Sequence, residues 1–292
     1  MKILVTGHTG FIGTNLVKKL QNDHTVLPTN KNNGRRINVL EKSQLLDIDD
    51  VDAVIHLASK TSVSDSISNP YDTYYTNMVG TLNILDYAVK RKIKNIINIS
   101  TYTYGNPKYI PIDENHPLSP HSPYNKSKLI SEKLCEYYSE DYKLNIVTLR
   151  PFYIYGPSNN SSFVSSAIRK VINNEKVILS KKNTRRDFLF VDDFVNLVHK
   201  ILLNFPEGYN VYNVGYGKSY SLEDILRVIE SIINKKISIE YDSSFRPNDV
   251  VEMVADIGKV MKEFEWRPII DIDEGLRLTI DRYSQMIKNE KC

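Results

Sequence analysis

At 292 residues the chain can bury one large core or two unequal lobes. Its 38 lysines and arginines against 35 aspartates and glutamates leave a net charge of only +3, with the basic residues dispersed. That balance argues against a nucleic-acid or membrane-surface binder. Cys135 and Cys292 form neither a metal spacing nor a disulfide framework, and no apolar run reaches transmembrane or signal-peptide length. The composition reads as a soluble cytoplasmic protein that holds no metal.

The run from Ile3 to Thr6 has the character of a buried parallel strand. Gly7-His8-Thr9-Gly10-Phe11-Ile12-Gly13 follows at once, and Thr14 to Leu20 reads as an amphipathic helix. Strand, glycine turn and helix form the context in which such glycines hold a dinucleotide. Gly7, Gly10 and Gly13 permit the tight turn and close backbone approach, while Thr9, Phe11 and Ile12 lie beside the helix N-terminus that would face a pyrophosphate. A second strand, Thr25 to Thr29, leads to the position that meets the adenosine ribose. NAD sites usually carry an acid there, roughly 20 residues beyond the glycines; here Asn30 stands, with Lys31, Arg35 and Arg36 close by. An amide does not repel a phosphate and the cations attract one, which favours NADP slightly over NAD or allows both.

Asp52 to Ala58 is the third strand, ending in small residues that let a flat cofactor pack on the backbone. His56 within it reads as a hydrogen-bonded structural histidine. A helix over 72–90 carries Asn77 and Gly80, which suit either a close helix contact or the cofactor. Asn95 to Ile99 is the fourth strand, and Ser100, Thr101 and Tyr102 lie at its carboxyl end, where open α/β sheets present ligands. Beyond a proline-rich loop a second long helix runs over 124–142. Tyr124 and Lys128, four residues apart, share one face of it, and a cation near a phenol favours its ionised form. Val147 to Arg150 is the fifth strand. The remainder has shorter elements (163–172, 194–203, 221–233 and 273–287) and no second glycine fingerprint. Alternation of strands and helices predicts an α/β fold, a Rossmann-type doubly wound parallel sheet with a smaller α/β C-terminal lobe. Residues 1–150 would hold the cofactor, with the chain returning over about 187–214, and 151–292 would mainly hold the substrate.

These motifs together resemble the extended short-chain dehydrogenase/reductase family, specifically its nucleotide-sugar epimerases, dehydratases and reductases. The resemblance covers nearly the whole chain. It rests on the Gly7–Gly13 turn, His56-Leu57-Ala58-Ser59, Asn77 to Asn83, Ser100 to Gly105, and Tyr124 to Lys128. It continues through Arg150 to Pro157, Arg186 to Asp193, Arg246 to Val250, Ala255-Asp256 and Trp266 to Pro268. The resemblance implies that Tyr124 is the acid/base for a sugar hydroxyl, and that Lys128 holds the nicotinamide ribose and lowers the tyrosine pKa. Ser100 would hydrogen-bond the reacting oxygen, with Thr101 its rival. Leu57, Ala58, Ser59, Asn77 and Pro151 would join the cofactor site. Tyr102, Tyr153, Arg186, Arg246 and Asp249 would meet a nucleotide-diphosphate sugar, the guanidinium forks suiting a diphosphate. A homodimer built on the helices at 72–90 and 124–142 is also implied.

Two departures bear on the subclass. The 4,6-dehydratases of the family carry an acidic pair after the strand-end hydroxyl, whereas Tyr102 and Thr103 follow Thr101 here, which argues against dehydration. Tyr153 stands where the epimerases commonly carry Asn. The Arg186 and Arg246 segments favour epimerisation at C4 through a 4-keto sugar. Asn30 and its basic neighbours suit the alternative, an NADPH-dependent reductase of a 4-keto-6-deoxy sugar. A non-catalytic, cofactor-binding regulator is a third reading, which the presence of Ser100, Tyr124 and Lys128 disfavours.

Overall fold

The computed structural model describes residues 1–28, 37–48, 50–159, 162–180, 183–242 and 250–290. Its first half runs β1 (Lys2–Thr6), α1 (Phe11–Leu20), β2 (Thr25–Pro28), α2 (Lys42–Leu46), β3 (Ala53–His56), α3 (Val63–Ser68), α4 (Pro70–Lys90), β4 (Asn95–Ile99), α5 (Pro123–Tyr142) and β5 (Asn145–Pro151). The second half continues β6 (Tyr153–Tyr155), α6 (Phe163–Ile172), β7 (Val177–Leu179), β8 (Arg185–Phe190), α7 (Val191–Leu203), β9 (Tyr209–Val214), β10 (Ser219–Ser221), α8 (Leu222–Ile233), β11 (Ile239–Tyr241), α9 (Gly258–Phe264) and α10 (Ile272–Glu290).

Six strands form one parallel sheet in the order β2-β1-β3-β4-β5-β9. Its central strands are mostly apolar because both faces are covered, and alternate residues serve different cores. Ile3 and Val5, Ala53 and Ile55, Ile97 and Ile99, and Val147 and Leu149 join α1 and α7 on one face. Leu4, Val54, Ile96 and Ile146 join Ile84, Leu85 and Tyr87 of α4 and Cys135 of α5 on the other. A doubly wound parallel sheet is therefore what these runs build. β9 supplies its sixth strand from the later half of the chain, with Asn213 opposite Arg150.

The helix starts follow local chemistry more than apolar periodicity. α1 begins at Phe11, earlier than the apolar pattern from Thr14 suggests, because the glycine turn closes at Gly10 and the helix follows directly. α4 begins at Pro70, with Asn69 accepting the Asp72 amide at 3.3 Å. α5 begins at Pro123, with Ser122 accepting the Asn125 amide at 3.1 Å. Proline at the first helical turn needs no amide partner, and the short polar caps satisfy donors that the helix cannot.

Smaller sheets complete the second half, β10-β8-β6 and β11-β7. Asp187 on β8 holds this region together. Its buried carboxylate accepts amides from Tyr216 (2.6 Å), Gly217 (3.0 Å) and Ala255 (3.0 Å), while burial still pushes its pKa up to about 6. α10 packs on Tyr155 and Phe190 so closely that a Cβ on Gly275 would lie 2.1 Å from the Tyr155 hydroxyl.

That hydroxyl is buried with no hydrogen-bond partner among the described residues. Gly275→Ala is expected to destabilise the fold by about 1–3 kcal/mol through overpacking. Tyr155→Phe, which removes an unsatisfied polar atom, should recover most of that loss in the double variant. Urea denaturation of the four proteins checks this; additive effects would show that the contact is not the cause.

Candidate active site

The carboxyl ends of β1, β3, β4 and β5 open on one cleft of about 620 Å³. Its floor is the glycine turn. Gly7 has φ +68°, and a Cβ there would lie 2.8 Å from the Ala58 amide nitrogen, so the turn touches the end of β3 backbone to backbone. A Cβ on Gly13 would lie 2.3 Å from the Gly7 carbonyl oxygen. Gly10 caps α1 without a side-chain hydrogen bond, in contrast to the serine-capped α5, α6 and α8. The leading amides of α1 thus remain available for an anion. A long, flat ligand with a central diphosphate fits this cradle: glycines at the closest approach, an uncapped helix end, and Leu57, Ala58, Ser59, Pro151 and Ile99 along the walls. Thr9, Phe11 and Ile12 line it as expected. Asn30, Lys31 and Arg35 lie outside the described residues.

A buried hydrogen-bond chain stands behind the floor. Thr6 Oγ1 accepts the Leu57 and Ala58 amides, both at 3.2 Å, and lies 2.9 Å from His56 Nδ1. His56 Nε2 lies 3.2 Å from Thr81 Oγ1, whose proton goes to the Asn77 carbonyl at 2.8 Å. Thr81 must therefore accept from Nε2–H, which leaves Nδ1 to accept the Thr6 proton. The imidazole is neutral, its pKa pushed down to about 3 by burial and by the Lys128 charge. His56 is structural, as its place on a buried strand suggests.

Asn77 is among the expected cofactor residues, but its side chain is engaged elsewhere. Its amide brackets the Lys60 backbone, accepting at 2.7 Å and donating at 3.0 Å, and donates to Ser127 Oγ at 2.9 Å. Ser127 Oγ in turn donates to the Tyr124 carbonyl at 2.7 Å. Asn77 thus braces the start of α5 and is not among the residues lining the cleft.

Tyr124 lines the cleft together with Thr101, whose side chain lies beside the Tyr124 phenol. Burial pushes the phenol's pKa up and Thr101 draws it back. The lowering expected from Lys128 is not seen: burial and Thr101 act on the phenol, and the Lys128 charge does not. Lys128 is itself only 2% exposed, and burial pulls its pKa down to about 8, against the raising effect of Cys135 and Glu132. Of the two strand-end hydroxyls, Ser100 is turned inward and donates to the Glu132 carboxylate. Thr101 is the one that meets Tyr124.

Three of the expected substrate residues gather near one another. The Arg186 guanidinium is close enough to lower the pKa of both Tyr102 and Tyr153, although burial raises each more strongly. Tyr102 is buried, its hydroxyl donates to the Gly105 carbonyl, and it is not among the residues lining the cleft. Tyr153 packs edge-on against Phe188 and accepts the Phe163 amide at 2.8 Å, joining β6 to the start of α6. Arg246 and Asp249 lie outside the described residues.

Several residues at the site went unmarked in the sequence. Thr61, Phe152, Ile154 and Asn159 also line the cleft, and only their nearness to recognised motifs could have flagged them. Glu132 and Arg150 form a buried ion pair, with Nη2 to Oε2 at 2.6 Å. Glu132 did carry a signal, being one turn beyond Lys128 on the same helix face. No group of three His, Cys, Asp or Glu side chains among the described residues could hold a metal.

Residues 3–215 match the model of the NAD dependent epimerase/dehydratase family. The chain belongs to that family. Among family relatives, a putative UDP-glucose 4-epimerase of Methanocaldococcus jannaschii is 32% identical over 301 residues, covering 96% of this chain and 97% of its own. A UDP-glucuronic acid 4-epimerase from Bacillus cereus, in complex with UDP-glucuronic acid and NAD, superimposes with TM-score 0.87 at 27% identity, covering 98% of this chain and 100% of its own. RMD from Pseudomonas aeruginosa, complexed with NADPH, gives TM-score 0.90 at 27% identity over 98% and 99% of the two chains. This family member is thus an enzyme of the extended short-chain dehydrogenase/reductase type, as its motifs imply.

Gly13→Ala is expected to weaken binding of both NAD(H) and NADP(H) by tenfold or more, on the order of 1.4 kcal/mol, because the turn cannot keep its shape around a Cβ. Fluorescence titration of the reduced cofactors measures this, and unaltered affinity would show that the turn does not hold them.

Proposed function

We propose that this enzyme is an NAD(P)-dependent nucleotide-sugar 4-epimerase with Tyr124 as its acid/base. The observation that carries this reading is the Tyr124–Thr101 pair in the cleft that the glycine turn floors. Tyr124 Oη takes the proton of the sugar 4-hydroxyl as that carbon is oxidised, and returns it to the ketone oxygen on reduction. A nicotinamide held in this cleft would supply reversible hydride exchange with that carbon, so there would be no net redox change. Thr101 Oγ1 orients the phenol and the reacting oxygen, replacing Ser100 in that role. Lys128, as a buried cation one turn along, holds the nicotinamide ribose. Arg186, with Arg246 and Asp249, meets the nucleotide diphosphate. Tyr153 beside Arg186 contacts the nucleotide sugar through its ring, since its hydroxyl is engaged with the Phe163 amide.

In this reading residues 1–150, with the return over about 187–214, hold the cofactor, and the rest of 151–292 mainly holds the nucleotide sugar. Asn30, Lys31 and Arg35 favour NADP slightly over NAD. The same observation supports a second reading, an NADPH-dependent reductase of a 4-keto-6-deoxy sugar, and the likeness to the NADPH-bound RMD structure fits it. Turnover of a nucleotide-sugar panel with and without NADPH separates the two. An epimer formed without added reductant supports the first, and a reduced product formed only with NADPH overturns it in favour of the second.

A homodimer is supported by two exposed stripes. Tyr71, Tyr75 and Leu82 lie along α4, and Ile130 and Tyr137 along α5, at spacings that share a face. Their contiguity suits a second copy of the same helix pair. A monomeric mass by light scattering would contradict this. No helix among the described residues is long and apolar enough to cross a membrane, which accords with a cytoplasmic location.

Tyr124→Phe is expected to lower turnover by about two to four orders of magnitude with the fold intact. Thr101→Val should lose at least about tenfold more than Ser100→Ala, the scale of one hydrogen bond in an active site. Since Lys128 acts as a cation with a pKa lowered to about 8, activity is full below that pH and falls as pH rises through it. Steady-state kinetics from pH 6 to 10 test all three; a near-wild-type Tyr124→Phe rate would remove the assignment.

A further inference from the structure

The polar network behind the cleft is more extensive than fold stability requires. Glu132 is 2% exposed and Arg150 5%. Arg150 Nε lies 3.1 Å from both Glu132 carboxylate oxygens, and Nη2 donates to Oε2 at 2.6 Å. Arg150 Nη1 donates to the Tyr104 hydroxyl at 2.9 Å, and that hydroxyl donates to Asn213 Oδ1 at 2.6 Å. Asn213 closes the network through the Ile112 carbonyl (2.9 Å) and the Glu114 carboxylate (2.7 Å). The carboxyl ends of β4, β5 and β9 and the middle of α5 are thereby joined in one place. A buried ion pair is a poor stabiliser, because desolvation of both charges offsets their attraction, and apolar replacements of equal volume are often as stable. Its presence therefore calls for another explanation.

Two features of the surroundings supply one. Glu132 lies one turn beyond Lys128 and two beyond Tyr124, so the carboxylate pins the helix that carries both. Through Ser100 it also pins the strand end that presents Thr101. The second feature is charge. The groups that face Lys128 are His56 on β3 and Glu132 and Cys135 on its own helix. His56 is neutral above about 3, and the Cys135 thiol is pushed up to about 12 by burial. Tyr209, beside Glu132 and Cys135, has its pKa raised by burial as well. Among these neighbours Glu132 is the carboxylate, and its ion pair with Arg150 fixes it in place.

We propose that Glu132, clamped by Arg150 and Ser100, is a positioning residue for proton transfer: it sets Tyr124 against Thr101 and keeps Lys128 charged. This rests on the reading of Tyr124 as acid/base. The network works through other residues, since neither Glu132 nor Arg150 lines the cleft.

The test compares Glu132→Gln with the double variant Glu132→Met/Arg150→Met, which removes the pair without stranding a buried cation. Both are expected to lower kcat by about ten- to a hundredfold, the scale of a small misplacement of reacting groups, with KM for the nucleotide sugar unchanged. Loss of the carboxylate charge leaves Lys128 easier to deprotonate. The alkaline limb of the kcat profile should therefore move to lower pH in both variants, and further in Glu132→Gln, where Arg150 remains. A purely structural pair would not shift that limb. A folded double variant with wild-type kcat and an unmoved limb overturns the proposal. Failure of both variants to give a cooperative thermal transition also overturns it, assigning the pair to fold stability. Tyr124→Phe assayed alongside separates the two levels. If it keeps the wild-type rate, the acid/base reading fails; if it is inactive while the double variant is unimpaired, the positioning inference alone fails.

Discussion

Packing α5 on one face of the parallel sheet, with its first turns beside the carboxyl ends of the strands, imposes the constraint on which the rest of this structure depends. The strand ends there carry hydroxyls, an imidazole and a guanidinium, and the helix covers them with Lys128, Ser131 and Glu132, all buried. Water is excluded, so these groups must satisfy one another, and an uncompensated member would be costly. The outcome is two adjoining networks. One runs from Thr6 through His56 and Thr81 to Asn77, and then by way of Ser127 to the first turn of α5. The other runs from Ser100 through Glu132 and Arg150 to Tyr104 and Asn213. Between them they fix the helix at two heights, with Tyr124 and Lys128 in the interval.

The same desolvation governs the chemistry. Burial favours the neutral form of every ionisable group, so it raises phenols and thiols and lowers amines and imidazoles. Tyr124 and Lys128 are moved in opposite directions by one cause. For the tyrosine, Thr101 opposes burial; for the lysine, Cys135 and Glu132 do. The protonation of both side chains is thus set by burial against their immediate partners, more than by their distance to each other along the helix.

Much of the fold could be read directly. Short, mostly apolar segments marked the central strands because a sheet covered on both faces buries most of their side chains. The glycine turn was legible because its demands are local: Gly7 at positive φ, Gly13 against the Gly7 carbonyl. Other features were hidden because they depend on contacts between residues far apart in the chain. Asn77 is drawn to the Lys60 backbone and Ser127, and Tyr102 to the Gly105 carbonyl, so neither offers a polar group to the cleft. Thr101 and Ser100 are adjacent and chemically alike. Only the carboxylate of Glu132, reaching across from α5, separates their roles.

The glycine turn, the strand runs and the one-turn spacing of Tyr124 and Lys128 therefore belong to the sequence alone, since backbone sterics and helical periodicity act over a few residues. Which hydroxyl faces Tyr124, and how firmly the Tyr124–Lys128 helix is seated, were decided by the tertiary structure. Glu132, Arg150 and Asn213 become neighbours only when β5 and β9 pair and α5 closes over them. In that water-free edge each polar atom must take the partner that geometry allows.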